Sequence, residues 1–118
     1  MQAPISKAQT ALGWLVLSGQ VGAVDGVVVG GGIVAECAQA LANLEAVLVA
    51  HGAQKTDVVK ATVFLTSMDD YTAMNEVYAE FFGDHRPARS AVAVVGLPLG
   101  AHVEIEAWCV APTDARHD

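Results

Sequence analysis

His102-Val103-Glu104-Ile105-Glu106-Ala107-Trp108-Cys109 alternates strictly, with Val103, Ile105, Ala107 and Cys109 on one side and His102, Glu104, Glu106 and Trp108 on the other. A period of two is the mark of a β-strand, whose successive side chains point to opposite faces. The apolar side belongs against a covering layer. The other side sets two carboxylates beside an indole, and a neighbouring strand adds residues such as Phe64. A face that is too apolar for water and yet carries two carboxylates marks an interface.

Working outward, the remaining elements fall into order. Trp14 to Ser18 reads as a short apolar strand, with a weaker one over Ser6 to Ala11 joined to it through Gly13. Residues 21–32 are rich in Gly and Val, with a turn at Asp25-Gly26 and a short strand over Val27 to Val29. No GxxxxGK[ST] occurs there, so the stretch is a hairpin and connector rather than a phosphate loop. Residues 33–51 form a helix whose apolar face is Cys37, Leu41, Leu44 and Leu48, spaced at 4, 3 and 4. Residues 57–65 are a β-branched strand, with Val59, Ala61, Val63 and Leu65 on its apolar face and Val58, Lys60, Thr62 and Phe64 on a mixed one. A second helix runs from about Asp69 to Phe82, with Tyr71, Met74, Tyr78 and Phe81 as its buried stripe; Ser67 and Asp70 resemble a capping box at its start. Two strands follow, over 89–95 and 102–111. Two helices cover only one face of such a sheet. The expectation is a single α+β domain over residues 1–111, a flexible tail over 112–118, and a homo-oligomer whose uncovered sheet faces turn inward.

Composition narrows the class. The 118 residues are 53% hydrophobic and only 16% charged, against a usual charged share of roughly 25%. The net charge of −7 repels phosphate, and the six Lys and Arg residues form no stripe, which argues against a nucleic-acid partner. Cys37 and Cys109 fall on apolar faces and read as reduced core residues. The four histidines show no metal-ligand spacing with them, so no metal site is expected. No basic-then-apolar leader opens the chain, and no apolar run reaches the roughly 20 residues that span a bilayer. The reading is a cytoplasmic protein with no membrane partner.

Arg89 is the other residue that stands out, in Arg86-Pro87-Ala88-Arg89-Ser90 on a short strand. Beside Glu104 or Glu106 on an adjoining strand it is either a structural ion pair or the receptor for a small carboxylate-bearing substrate. A guanidinium fork suits a carboxylate in geometry and permanent charge.

The chain resembles the RidA (YjgF) family of reactive-intermediate deaminases. The matching segments are Ser18-Gly19-Gln20, Asn43, Val58-Val59-Lys60-Ala61-Thr62-Val63-Phe64-Leu65 and Met74-Asn75-Glu76-Val77-Tyr78-Ala79-Glu80-Phe81-Phe82. Pro87-Ala88-Arg89-Ser90, Leu97-Pro98 and Val103-Glu104-Ile105-Glu106-Ala107 complete the set, which spans nearly the whole chain. The resemblance implies a chorismate-mutase-like homotrimer with sites between subunits. It implies hydrolysis of 2-imino or 2-enamino acids, such as 2-aminoacrylate or 2-iminobutanoate, to 2-keto acids and ammonia, without a cofactor. It assigns the substrate carboxylate to Arg89, water activation to Glu106, backbone contacts to Gly19 and Ala91, and a place at the cleft mouth to Asn75. Burial against Trp108 and Phe64 would raise the pKa of Glu106, and Arg89 would lower it. Two departures bear on the site. Pro4-Ile5-Ser6 stands where the family has Pro-Tyr-Ser, and Ala91 stands where many members carry cysteine. The alternatives are a non-catalytic carboxylate-binding trimer, which the loss of the tyrosine hydroxyl at Ile5 would favour, and a ribonuclease or translation inhibitor.

Overall fold

The computed structural model describes residues 3–112. Residues 113–118 of the expected tail lie outside that range. Nine principal elements follow one another: β1 (Ala8–Ala11), β2 (Trp14–Val21), β3 (Ala23–Val24), β4 (Val27–Val28), α1 (Gly32–Ala50), β5 (Val58–Leu65), α2 (Tyr71–Phe82), β6 (Ala88–Ala93) and β7 (Val103–Val110). Five strands make one mixed sheet in the order β1-β2-β7-β5-β6. All its pairings are antiparallel except β5 with β6, which run parallel because α2 carries the chain back between them.

β3 and β4 do not join this sheet. The strand expected over Val27 to Val29 pairs only with Ala23 and Val24, in a separate two-stranded hairpin. Asp25 and Gly26 turn it, both at positive φ (52° and 79°), a geometry that Asp-Gly favours in tight hairpins. Asn43 on α1 anchors the hairpin, its amide donating to the Val21 and Ala23 carbonyls at 3.0 and 2.9 Å.

The core lies between the sheet and the two helices. Cys37, Leu41, Leu44 and Leu48 of α1 are buried as the helical spacing requires, joined by Glu36, Ala40 and Val47. Each fully buried leucine stabilises the fold by roughly 1.5–3 kcal/mol relative to exposure. By length and composition α1 could cross a membrane; here its apolar face packs on the sheet and it serves as the core helix. From the sheet, Val103, Ile105, Ala107 and Cys109 meet the helices, all fully buried.

Three expectations need correction. On β5, Val58 is buried and Val59 exposed, the reverse of strict alternation from Leu65 backwards. A register shift between Val58 and Lys60 puts an extra residue opposite β7, and such a bulge inverts the face of everything before it. On α2 the buried residues are Met74, Tyr78 and Phe82; Tyr71 is exposed and Phe81 half-buried, so the stripe turns toward Phe82 at its end. The Ser67 hydroxyl accepts only from Asp69 N at 3.1 Å, and it opens a 3-10 turn over Met68–Asp70 ahead of α2.

Candidate active site

Arg89 does not meet Glu104 or Glu106 within the chain. β5 lies between β6 and β7, and Arg89 pairs with Ala61, a core-facing residue, so its side chain leaves on the helix side. It curls over the sheet edge onto α2. Nη2 donates to the Tyr71 hydroxyl at 3.2 Å and Nη1 approaches the Met74 sulfur at 3.7 Å. The guanidinium also lies 4.8 Å from the centre of the Tyr78 ring, a cation–π contact that holds it flat. Among the described residues the only ion pair is His102 with Glu36, so no carboxylate neutralises Arg89.

Asn75 lies beside it. Asn75, Tyr78, Ala79, Arg86, Pro87 and Arg89 line a cleft of about 310 Å³ at the β6 edge. The Asn75 Oδ1 and the Tyr78 hydroxyl are buried there without a hydrogen-bond partner. Buried polar atoms are almost always paired, so these two are exceptions beside a cation that has no carboxylate partner. Burial pushes the Tyr78 phenol up, against the opposing pull of Arg89 and then Arg86. Ala91, two residues along β6, packs against the core.

The other expected residues collect elsewhere. On β2, Leu17 pairs with Ala107 and Gln20 with Ile105, so one extra residue is fitted in at Ser18-Gly19. This bulge brings the Gly19 backbone against the Glu104 carboxylate. A Cβ on Gly19 would stand 2.7 Å from Glu104 Oε2, closer than real contacts allow, so any larger residue there would push the Glu104 carboxylate aside. Glu104 is pushed above the ordinary glutamate range, first by burial and then by the charge of Glu106. Glu106 and Ile5 line a cleft of about 390 Å³ together with Ser18. The Ser18 hydroxyl donates to the Ser6 carbonyl at 2.6 Å and so holds the Ile5 segment in place.

The expected residues therefore form two groups. Asn75, Arg89 and Ala91 lie at the β6 edge on the helix side. Ile5, Gly19, Glu104 and Glu106 lie across β2 and β7, the carboxylates on the open face. Two strand spacings, roughly 10 Å, and the thickness of the sheet separate Arg89 from the carboxylates.

Tyr71, Tyr78 and Met74 around Arg89 were read from the sequence as a core stripe. The available signal was Asn75 within that stripe, a polar residue beside Met74. Both cysteines are buried, and burial pushes each thiol to about 11, so neither is a nucleophile at neutral pH.

Residues 1–111 match the family described as Endoribonuclease L-PSP. The chain belongs to that family. It is the YjgF/RidA family that the sequence motifs resemble. An L-PSP relative from Capra hircus named 2-iminobutanoate/2-iminopropanoate deaminase is 44% identical over 109 residues, covering 91% of this chain and 80% of the relative. The protein mmf1, mitochondrial, of Schizosaccharomyces pombe is 40% identical over 109 residues, covering 92% of this chain and 67% of that one. Among solved L-PSP structures, E. coli TdcF with bound serine superposes with a TM-score of 0.87 at 32% identity, covering 95% of this chain and 91% of that chain. The α+β fold, with two helices on one face of a mixed sheet, is the fold of this family.

Proposed function

We propose that this chain hydrolyses 2-imino and 2-enamino acids to 2-keto acids and ammonia. In this proposal it works as a homotrimer, with the open sheet faces turned inward and each site shared by two subunits. The observation that carries the reading is the pair of complementary halves. One holds an unpaired guanidinium beside an orphaned amide oxygen, the other a raised carboxylate against a glycine backbone. No single chain can close them on one substrate. The deaminase name of the goat relative and the bound serine of TdcF, an amino acid with a carboxylate, support the same chemistry.

Each half then has a task. Arg89 receives the substrate carboxylate, with Tyr71 and Tyr78 fixing its plane. Asn75 Oδ1, an acceptor, faces the imine N–H. The backbone at Gly19 and at Ala91, on an edge strand with outward-facing peptide groups, orients water and nitrogen. Between the carboxylates, Glu104 is the stronger candidate for general base, because burial and then the charge of Glu106 raise its pKa and make it more basic. Water adds to C2 as the glutamate takes its proton. The nitrogen takes that proton back, giving a carbinolamine. As its hydroxyl loses a proton to become the keto oxygen, the C2–N bond breaks. The nitrogen takes this second proton and leaves as ammonia, and the 2-keto acid remains. General base help of about 10²–10⁴-fold and positioning suffice for an already electrophilic carbon.

The family description names a ribonuclease, but a chain of net charge −7 whose six basic residues form no stripe favours a small anionic substrate over a phosphate backbone. Ile5, which is 71% exposed and has no hydroxyl to offer, is the observation that favours a binding trimer without turnover. A cytoplasmic location belongs to the proposal, and fractionation separates it from the mitochondrial location in the fission-yeast relative's name.

Semicarbazide-competition kinetics on imines released by an amino-acid oxidase test the reading. Wild type should shorten the imine lifetime. Arg89→Ala should lose roughly 10²–10⁴-fold in kcat/KM, the worth of two charge-assisted hydrogen bonds, with its melting temperature retained. Equal rates with and without wild-type protein would leave the binding trimer as the reading.

A further inference from the structure

The cleft at the β6 edge holds a second arginine. Arg86 and Arg89 line it together, with Pro87 fixing the backbone between them. Two of only six basic residues in a chain of net charge −7 thus converge on one cavity. Neither has a carboxylate within ion-pair distance among the described residues, Arg86 being exposed and Arg89 half-buried.

Their hydrogen bonds hold them in place without satisfying them. Arg86 uses Nη1 alone, donating to the Gly83 carbonyl and to the His85 carbonyl at 3.1 Å. Its Nε and Nη2 find no acceptor among the described residues. Arg89 has a phenol and a weakly accepting sulfur. Tyr78 and Asn75 also line the cleft, while the Tyr78 hydroxyl and Asn75 Oδ1 themselves are buried behind it without a partner. A substrate with a single carboxylate needs one guanidinium. Two guanidiniums on one cleft, neither with a carboxylate partner among the described residues, describe a ligand with two anionic groups.

We infer that the cleft takes 2-imino dicarboxylic acids, the imines of aspartate and glutamate. The carboxylate next to the imine carbon sits on Arg89, and the side-chain carboxylate sits on Arg86. The inference rests on the proposed deaminase reading and specifies its substrate class. The chemistry is unchanged: water adds at C2, the C2–N bond breaks, and ammonia and a 2-keto dicarboxylic acid leave.

The test compares full-length wild type, Arg86→Gln and Arg86→Lys on imines released from aspartate, glutamate and alanine by the matching oxidases. In parallel, oxaloacetate and pyruvate are titrated by calorimetry. Wild type should favour the dicarboxylic imines. Arg86→Gln should lower the ratio of dicarboxylic to alanine-derived kcat/KM by about tenfold or more, the loss of one charged contact, and Arg86→Lys should restore part of it. If wild type hydrolyses the imines and the ratio is the same in all three proteins, the inference falls while the deaminase reading stands. If no imine is hydrolysed yet oxaloacetate binds more tightly than pyruvate in an Arg86-dependent way, the dianion cleft stands and the deaminase reading falls. Absence of both signals overturns both.

Discussion

Arg89 shows how a residue can be recognised in the sequence while its surroundings are misread. Its type and its strand followed from Pro87-Ala88-Arg89-Ser90, but its partners did not. The strand order puts β5 between it and the glutamates, and its neighbours are the tyrosines of α2. Which strands pair depends on contacts far apart in the chain, and local alternation carries no trace of them. The two glutamates are a similar case. The pattern placed both on one face, but only the bulge at Ser18-Gly19 sets Glu104 against the backbone. Glu104→Gln should therefore cut turnover roughly 10²–10⁴-fold and abolish the acid limb of the pH–rate profile, which rises as Glu104 loses its proton somewhat above the usual glutamate pKa. Because burial and Glu106 raise that pKa, folding is favoured below the unfolded-state value near 4.5 and loses this contribution as pH climbs through the folded value. Glu104→Gln should then hold or raise the melting temperature at pH 7. A larger kinetic loss in Glu106→Gln than in Glu104→Gln would return the base to Glu106.

At the scale of elements, periodicity found both helices and every main strand to within a few residues. The amphipathic spacing of α1 and the alternation of β7 are local signals that the fold obeys without exception. The bulge in β5 and the turn of the α2 stripe toward Phe82 were not legible, because they answer to what lies opposite in space. Equally hidden was the tie between α1 and the start of β7. Glu36, 2% exposed, accepts from His102 N at 2.8 Å and pairs with His102 Nδ1 at 2.6 Å. The hydrogen bond to Glu36, then its charge, raises the His102 pKa above its usual 6.5. A raised histidine adds stability that is fully present below the unfolded-state pKa and disappears as pH rises through the folded one. Thermal melts run upward from about pH 6.5 should therefore show wild type losing stability relative to His102→Asn. A constant difference between the two proteins over that range would mean the pair stays neutral.

For the whole molecule, the apolar excess has a location. Trp14 and Trp108 meet edge to face at 5.9 Å on the open side of the sheet, with Val92 and Val110 exposed on the same side. The helices already cover the other side, so this is the face that the proposed trimer would bury. Light scattering of the pure protein should give three times the chain mass, and Trp108→Glu should lower it. A monomeric wild type would remove the basis for a shared site.

In the proposed trimer, dividing one site between two chains would also change what a defective gene copy does. A subunit lacking Arg89 still lends its Glu104 to a neighbour, and one lacking Glu104 still lends its Arg89. Two inactive proteins, unfolded and refolded together in equal amounts, should recover about a quarter of normal sites. In a cell, two different recessive lesions would partly rescue each other, whereas two copies of either lesion alone would not.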